Sequence, residues 1–148
     1  MPSLFNRDIR DAVLARIARL SPTSKPLWGR FTAPEIVCHV SCELREAVGE
    51  LETVPRVGLL THPPLTWLLI HVLPWPKGRG KSPPEWLATQ PTTWNADIAR
   101  LRDLIHRFAA MGPAADWPPS RVFGKISGRS WGVLAHKHLD YHLHQFGV

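Results

Sequence analysis

The stretch Gly132-Val-Leu-Ala-His-Lys-His-Leu-Asp-Tyr-His-Leu-His-Gln-Phe-Gly-Val148 carries four of the chain's eight histidines within nine residues. Leucine, alanine, lysine and glutamine favour a helix here, and successive side chains of a helix advance by about 100° around its axis. His138 and His142 then fall inside the apolar arc of this helix, whereas His136 and His144 fall at its far edge or beyond. The periodicity therefore predicts a helix that turns one pair of imidazoles inward.

His138 and His142 stand one helical turn apart, with about 5 to 6 Å between their Cβ atoms. Two imidazoles at this spacing can converge on one metal ion, which is the geometry of the HExxH helix of zinc proteases. The alternative is a pair of core histidines whose ring nitrogens are satisfied by hydrogen bonds. The spacing favours metal binding over that alternative, and a third ligand must then come from another element.

The composition indicates a single domain, residues 1–148, that is large enough to bury a core. Hydrophobic residues make up 44% of the chain and charged residues 20%, which is typical of a globular protein. The 15 prolines must lie mainly in connections, so that helices are few and well separated.

The net charge, the cysteines and the first residues bear on the partners and the cellular location of the chain. The net charge of +6 would suit an anionic partner, but the basic residues are scattered over the predicted helices, which argues against nucleic-acid binding. Cys38 and Cys42 are too few for a disulfide framework and indicate a reducing compartment. Residues Met1 to Asp8 lack the apolar run of a signal peptide, so a cytoplasmic location without a membrane partner is predicted.

Four amphipathic helices are predicted, with no sheet of more than two short strands. Asn6 is expected to cap the first helix and Ser127 the last, while Thr32 and Glu35 form a capping box at the start of the second. Four such helices joined by one long crossover indicate an all-α four-helix bundle. The helices are expected near residues 6–20, 33–52, 93–111 and 128–146.

The connection from Thr53 to Gln90 is a long, proline-rich crossover between the second and third helices. Its apolar run Leu65–Leu73 is too short to span a bilayer and is predicted to be a buried short helix. The segment Pro74–Lys81 that follows is a basic loop with two glycines. It lacks the spacing of a P-loop, so a solvated surface loop is favoured over an anion-binding one.

His39 lies at the margin of the apolar stripe of the second helix. A marginal position suits a side chain that faces a pocket between helices, although ordinary amphipathic histidines occupy such positions too. Sites in helical bundles are built from inward side chains on different helices, so His39, His138 and His142 are the predicted three-ligand set. Cys38 and Cys42 lie away from the stripe and are given no role.

Two segments together resemble the DinB-like superfamily of helical bundles. One is Val37-Cys38-His39-Val40, and the other is His138-Leu-Asp-Tyr141-His142-Leu-His-Gln145, which is similar to the H-x-x-H-H-x-x-Q pattern of the last helix in that family. The resemblance extends over nearly the whole chain. Further segments similar to one bacterial branch of the superfamily are Leu27-Trp28-Gly29, Pro74-Trp75-Pro76-Lys77-Gly78, Phe123-Gly124-Lys125 and Gln145-Phe146-Gly147.

The resemblance implies a four-helix bundle that binds a divalent metal through His39, His138 and His142. Zinc and nickel are the expected ions, because imidazole suits both, although it suits other metals as well. Tyr141 stands where the family often has a further histidine, but that position is not one of the three ligands. Members of the superfamily include thiol-dependent transferases and isomerases that use mycothiol, bacillithiol or glutathione, beside proteins with no assigned activity. A low-molecular-weight thiol is therefore a candidate cofactor, and the resemblance does not select one activity.

Two functions remain open at the level of the sequence. The first is a metal-dependent transferase or hydrolase of a small molecule, because three imidazoles leave a coordination position free for a thiol, water or a substrate oxygen. The second is a non-catalytic bundle whose histidines bind metal adventitiously or stabilise the fold, because no catalytic acid, base or nucleophile is recognisable. Gln145 could contact a ligand, orient an imidazole or satisfy a buried neighbour, and the last two roles are favoured. A homodimer is compatible with either function.

Overall fold

The computed structural model describes residues 1–55, 57–78 and 84–148, apart from the side chains of Glu85 and Leu87. Within these ranges the chain is all-helical, and its one β-type feature is an isolated bridge between Ser120 and Gly124. The predicted all-α class is confirmed. The helices are α1 (Arg7–Ile17), α2 (Ala33–Ala47), α3 (Pro63–His71), α4 (Pro84–Leu87), α5 (Trp94–Met111) and α6 (Gly128–Gln145), with a 3-10 turn at Leu59–Thr61.

The predicted capping residues begin three of the long helices. The side chains of Asn6 and Ser127 each accept a hydrogen bond from a backbone N–H in the first turn, at 3.1 and 3.2 Å. Thr32 accepts from the N–H of Glu35, and the Glu35 carboxylate accepts from the N–H of Thr32 at 2.7 Å, so the capping box is formed. These side chains satisfy N–H groups that the start of a helix leaves unpaired.

Two helices end before the predicted boundaries, α1 at Ile17 instead of residue 20 and α2 at Ala47 instead of residue 52. The end of α2 is set by Gly49, whose φ of +80° lies in the left-handed region. The N–H groups of Gly49 and Glu50 bond back to carbonyls of the last turn, at 3.1 and 2.7 Å. This is a Schellman motif, which closes a helix at a glycine and turns the chain away.

The four longest helices enclose the core. α2 packs against α5 and α6, and α1 packs against the same two helices, so the contacts close a ring. Large side chains buried inside it include Leu44 of α2, Phe108 of α5 and Trp131 of α6. The packing of α2 on α6 is the contact that positions the histidines, because it sets the predicted inward faces of these two helices against each other.

α3 lies outside this ring and packs on α6. The helix predicted within Leu65–Leu73 is confirmed, but its expected burial is wrong. Thr66 and Ile70 are buried, whereas Trp67 and Val72 are 58% and 55% exposed. The physical reason is geometric: a nine-residue helix resting on the outside of α6 is covered on one side only.

Two charged residues of α6 join elements together, although the helical phase places them opposite the apolar arc. Asp140 accepts a hydrogen bond from the guanidinium of Arg16 on α1 at 2.6 Å. Lys137 is bound to the end of α3, where unpaired carbonyls attract a cation. Its Nζ donates to the carbonyls of Leu69, Ile70 and Leu73 at 2.8, 3.2 and 2.6 Å.

Cys38 and Cys42 are 8% and 0% exposed, so both are buried although they lie away from the predicted apolar stripe of α2. α2 is covered on this side as well, because α4 and the segment after it pack against it. The Sγ atoms of Cys38 and Cys42 lie 3.5 Å from the carbonyl of Thr89 and 3.9 Å from that of Trp86. Both thiols are free, and burial raises the pKa of Cys38 to about 11, which makes it a poor nucleophile.

Replacing Gly132 with alanine is expected to destabilise the protein by about 1 to 3 kcal/mol, the usual cost of overpacking. A Cβ atom at this position of α6 would lie 2.4 Å from Oγ of Ser3 and 2.5 Å from the ring of Phe5. At an open helical site the same change stabilises by up to about 1 kcal/mol, so the sign of the effect is informative. Urea unfolding measures it, with Arg129→Ala as an exposed control on the same helix. A stabilised Gly132→Ala variant would contradict this packing.

Candidate metal centre

Three histidines from two helices converge in the interior. His39 comes from α2, and His138 and His142 come from α6. The Nε2 atoms of His39 and His138 are 3.0 Å apart, and one ring nitrogen from each of the three residues lies within 4.8 Å of the others. The structure thus brings together the three positions selected from the sequence. These residues could hold one metal ion.

Burial keeps these imidazoles neutral. His39 and His138 are 6% and 5% exposed, and His142 is half-buried at the edge of the cluster. Burial, together with the neighbouring imidazoles, lowers the pKa of His39 to about 2. Burial also lowers the pKa values of His138 and His142 to about 3. A neutral imidazole keeps one unprotonated ring nitrogen, which is the form that binds a metal.

Gln145 fixes the orientation of the His142 ring. Its Nε2 donates to the carbonyl of Trp28 at 2.7 Å, which turns the amide oxygen toward Nδ1 of His142 at 2.8 Å. Because an amide oxygen only accepts hydrogen bonds, Nδ1 must carry the proton and Nε2 keeps its lone pair. Of the roles considered for Gln145, the geometry supports the orientation of an imidazole.

Glu43 holds the ring of His138. Its side chain is buried, and its Oε2 is hydrogen-bonded with Nδ1 of His138. Burial raises the pKa of Glu43 well above its usual range. Its second oxygen, Oε1, has no partner within the described part of the chain. Glu43 is not among the predicted site residues, although its position one turn after His39 places both on one face of α2.

Glu46, almost one turn further along α2, differs from Glu43 because both of its oxygens are satisfied. Oε1 accepts from the backbone N–H of Arg121 at 2.5 Å, and Oε2 accepts from the indole N–H of Trp86 at 3.2 Å. Burial nevertheless raises the pKa of Glu46 to about 7. This carboxyl group therefore ties the segment before α6 and the short α4 to α2.

Aromatic rings enclose the histidines. Phe31 stacks on His39 with ring centroids 5.3 Å apart. Trp86 lies 5.4 Å from His39 and 5.8 Å from His138, and Trp75 lies 6.0 Å from His138. Such walls exclude water and lower the local dielectric constant, which strengthens electrostatic interactions inside the site.

The described part of the Pro74–Lys81 loop folds against α6 beside the cluster. The Tyr141 hydroxyl accepts from the N–H of Gly78 at 2.9 Å and donates to the carbonyl of Pro76 at 3.2 Å. Most of this part is exposed, in agreement with the predicted surface loop. Residues 79–81 of the predicted loop lie outside the described ranges.

The other two histidines of α6 lie outside the cluster, as the helical phase predicts. His136 is half-buried, and the side chain of His144 is 63% exposed. Nδ1 of His144 is hydrogen-bonded with the backbone carbonyl of Asp140, at 2.9 Å, on the outer side of the helix.

The variants His136→Ala and His144→Ala are expected to keep the metal content of the wild type, because neither ring belongs to the cluster. Elemental analysis of the two untagged variants beside the untagged wild type measures this. If either variant loses its metal, the ligand set derived from the phase of α6 is incorrect.

The spacing of the ring nitrogens fits a metal ion and also fits a hydrogen bond. Two nitrogens bound at 2.0–2.1 Å to a tetrahedral zinc are about 3.3 Å apart, and the Nε2 atoms of His39 and His138 are 3.0 Å apart. The same distance allows one Nε2–H to donate to the other ring. The partners of the other ring nitrogens favour a metal ion. Metal-binding histidines typically donate their second N–H to a carboxylate or a carbonyl oxygen. His138 can donate its Nδ1–H to Glu43, and His142 can donate its Nδ1–H to Gln145.

No protein-family model, curated protein or solved structure matches this chain. The DinB-like resemblance therefore stays a prediction. None of the helices in the described ranges is long and apolar enough to cross a membrane. Fold and site together define an all-helical protein with an enclosed three-histidine cluster that could bind a metal ion.

Proposed function

We propose that the chain is a divalent-metal-binding protein with a DinB-like four-helix bundle, in which His39, His138 and His142 bind one zinc or nickel ion. The observation that carries the proposal is the convergence of three neutral imidazoles, two of which are held at Nδ1 by Glu43 and Gln145. The closed ring of contacts among α1, α2, α5 and α6 supports the bundle.

The proposed activity is metal-dependent thiol transfer or hydrolysis of a small molecule, with a low-molecular-weight thiol as a candidate cofactor. A divalent ion with three histidine ligands keeps a position open and supplies Lewis acidity there. The chain contributes the orientation of two ligands through Glu43 and Gln145. It also excludes water with the rings of Phe31, Trp75 and Trp86.

A second candidate is a non-catalytic helical bundle in which the histidines are structural or bind metal adventitiously. The 3.0 Å separation of the Nε2 atoms of His39 and His138 favours it, because a hydrogen bond accounts for that contact without an ion. The two candidates differ in whether metal binds stoichiometrically and whether a bound ion responds to thiols.

The predicted cytoplasmic location belongs to the same proposal. The free thiols of Cys38 and Cys42 accord with a reducing compartment. A homodimer is compatible with the proposed function.

Titration of the chelator-treated, untagged protein with Co²⁺ tests the proposed function. We expect stoichiometric binding with the intense visible absorption of a four- or five-coordinate ion, and a further spectral change when glutathione is added. Weak, non-stoichiometric binding would contradict the metal site. Stoichiometric binding with no response to thiols and no hydrolysis of model esters would favour the non-catalytic candidate.

A further inference from the structure

A dication in this cluster would need a compensating negative charge. His39, His138 and His142 are neutral, so the complex with the ion would carry the full charge of +2 among aromatic rings. Removing a charge from water costs several kcal/mol unless an opposite charge or strong hydrogen bonds replace the water. An anionic group of the chain close to the ligands would lower this cost.

Glu43 is the carboxyl group placed to do this. It stands one turn from His39 on α2 and reaches across to α6, where its Oε2 is hydrogen-bonded with Nδ1 of His138. Nε2 on the same ring is the atom that faces His39 at 3.0 Å. α2 thus provides one candidate ligand and also the group that aims a second ligand from α6.

We infer that Glu43 is a positioning residue of the metal site: its carboxylate holds His138 through Nδ1, directs Nε2 at the ion and supplies the negative charge that a buried dication requires. The inference rests on the proposed metal binding and deepens it. Glu43 acts through His138, since the ligand atoms that converge belong to the three histidines and do not include an oxygen of Glu43.

The comparison with Glu46 separates this role from a purely structural one. One oxygen of Glu46 accepts a hydrogen bond from a backbone N–H, and the other accepts from an indole N–H. These two bonds account for the burial of Glu46. Glu43 has one buried oxygen without a partner in the described ranges, and its other oxygen contacts the histidine. A buried polar atom left unpaired costs about 1 to 3 kcal/mol. Attraction to a bound cation offsets such a cost.

The test compares Glu43→Gln with the matched variant Glu46→Gln in the full-length, untagged protein. Both changes replace a buried carboxyl group of α2 with an amide of nearly the same shape. After treatment with chelator, each protein is titrated with Co²⁺ and with Zn²⁺. We expect Glu43→Gln to bind both ions about 10- to 100-fold more weakly than the wild type, the usual effect of removing a partner that orients a ligand. The visible spectrum of bound Co²⁺ should also change, and Glu46→Gln should match the wild type in both measurements.

Equal affinities and spectra for Glu43→Gln and the wild type would overturn the inference while leaving the metal site in place. Failure of the wild type itself to bind would instead overturn the proposed function. If Glu43→Gln does not fold, long-range ¹H–¹⁵N spectra of the zinc-loaded wild type decide the matter. The inference requires a hydrogen-bonded proton on Nδ1 of His138 and none on its Nε2, and the opposite protonation would refute it.

Discussion

Replacing His138 with alanine is expected to abolish stoichiometric metal binding. The ring centroid of His138 lies 4.9 Å from that of His39 and 4.8 Å from that of His142, so its loss leaves only one pair of neighbouring imidazoles. Two imidazoles would remain, so the affinity should fall by more than the roughly 10- to 100-fold loss caused by removing a partner that only orients a ligand. The helical fold should persist, because its core is built from the apolar faces of four helices and does not depend on an ion.

Elemental analysis of protein purified without a histidine tag measures this prediction, with circular dichroism to verify the helices. His136→Ala is the matched control, since it removes the same side chain from the same helix outside the cluster. Equal metal in wild type and His138→Ala would exclude the three-histidine site. Equal loss of metal in both variants would place the ion elsewhere on α6.

The metal-free protein is expected to lose most of its stability between about pH 4.5 and pH 3. His39, His138 and His142 have an ordinary pKa of 6.5, which burial lowers to about 2 or 3 in the folded chain. Below pH 6.5 the unfolded chain therefore binds protons that the folded chain excludes. Each such histidine removes about 1.4 kcal/mol of stability per pH unit, so three remove about 4 kcal/mol per unit.

Two buried carboxyl groups oppose this loss at mildly acidic pH. Glu43 and Glu46 have raised pKa values in the folded chain, so between their ordinary pKa of 4.5 and neutrality the folded chain binds protons that the unfolded chain does not. In that window the two carboxyl groups offset part of the loss caused by the histidines. The net loss is therefore gentle from pH 6.5 to 4.5. Below pH 4.5 the carboxyl groups are protonated in both states, and the histidines act without opposition.

Urea unfolding of chelator-treated protein at closely spaced pH values measures this profile. Since a typical domain is stable by about 5 to 15 kcal/mol, the steep region should end in unfolding before pH 3. Removing two of the three histidines, in His138→Ala/His142→Ala, should flatten the steep region, because fewer protons are excluded. A constant free energy of unfolding between pH 4.5 and 3 would contradict the burial of neutral imidazoles.

Helix starts and the inward face of α6 were predictable because they depend on local chemistry. Asn6, Thr32 and Ser127 are capping side chains that act within one turn, and the structure confirms all three. The separation of His138 and His142 from His144 follows from the 100° advance of a helix. Such features need no knowledge of what packs against them.

The features that were missed depend on contacts between elements distant in sequence. Glu43 contacts the histidine cluster because α6 places His138 against it, and the hydrophobic pattern of α2 does not reveal that contact. Cys42 is buried because α4 covers a second side of α2. Lys137 turns from solvent to the end of α3 because the crossover returns to α6. A helical-wheel projection that assumes one buried face per helix cannot anticipate a second element that covers another face.

The indole rings beside the histidines give the protein a built-in optical reporter. Trp75 and Trp86 lie 6.0 and 5.8 Å from His138, measured between ring centroids. Copper(II) or cobalt(II) bound by the histidines would stand close enough to both indoles to quench their light emission, whereas diamagnetic zinc would leave most of it. Because Trp117 and Trp131 pack together elsewhere in the core, they would supply a steady background. Occupancy of the cluster could then be followed in unlabelled protein, in real time, as a drop in near-ultraviolet fluorescence.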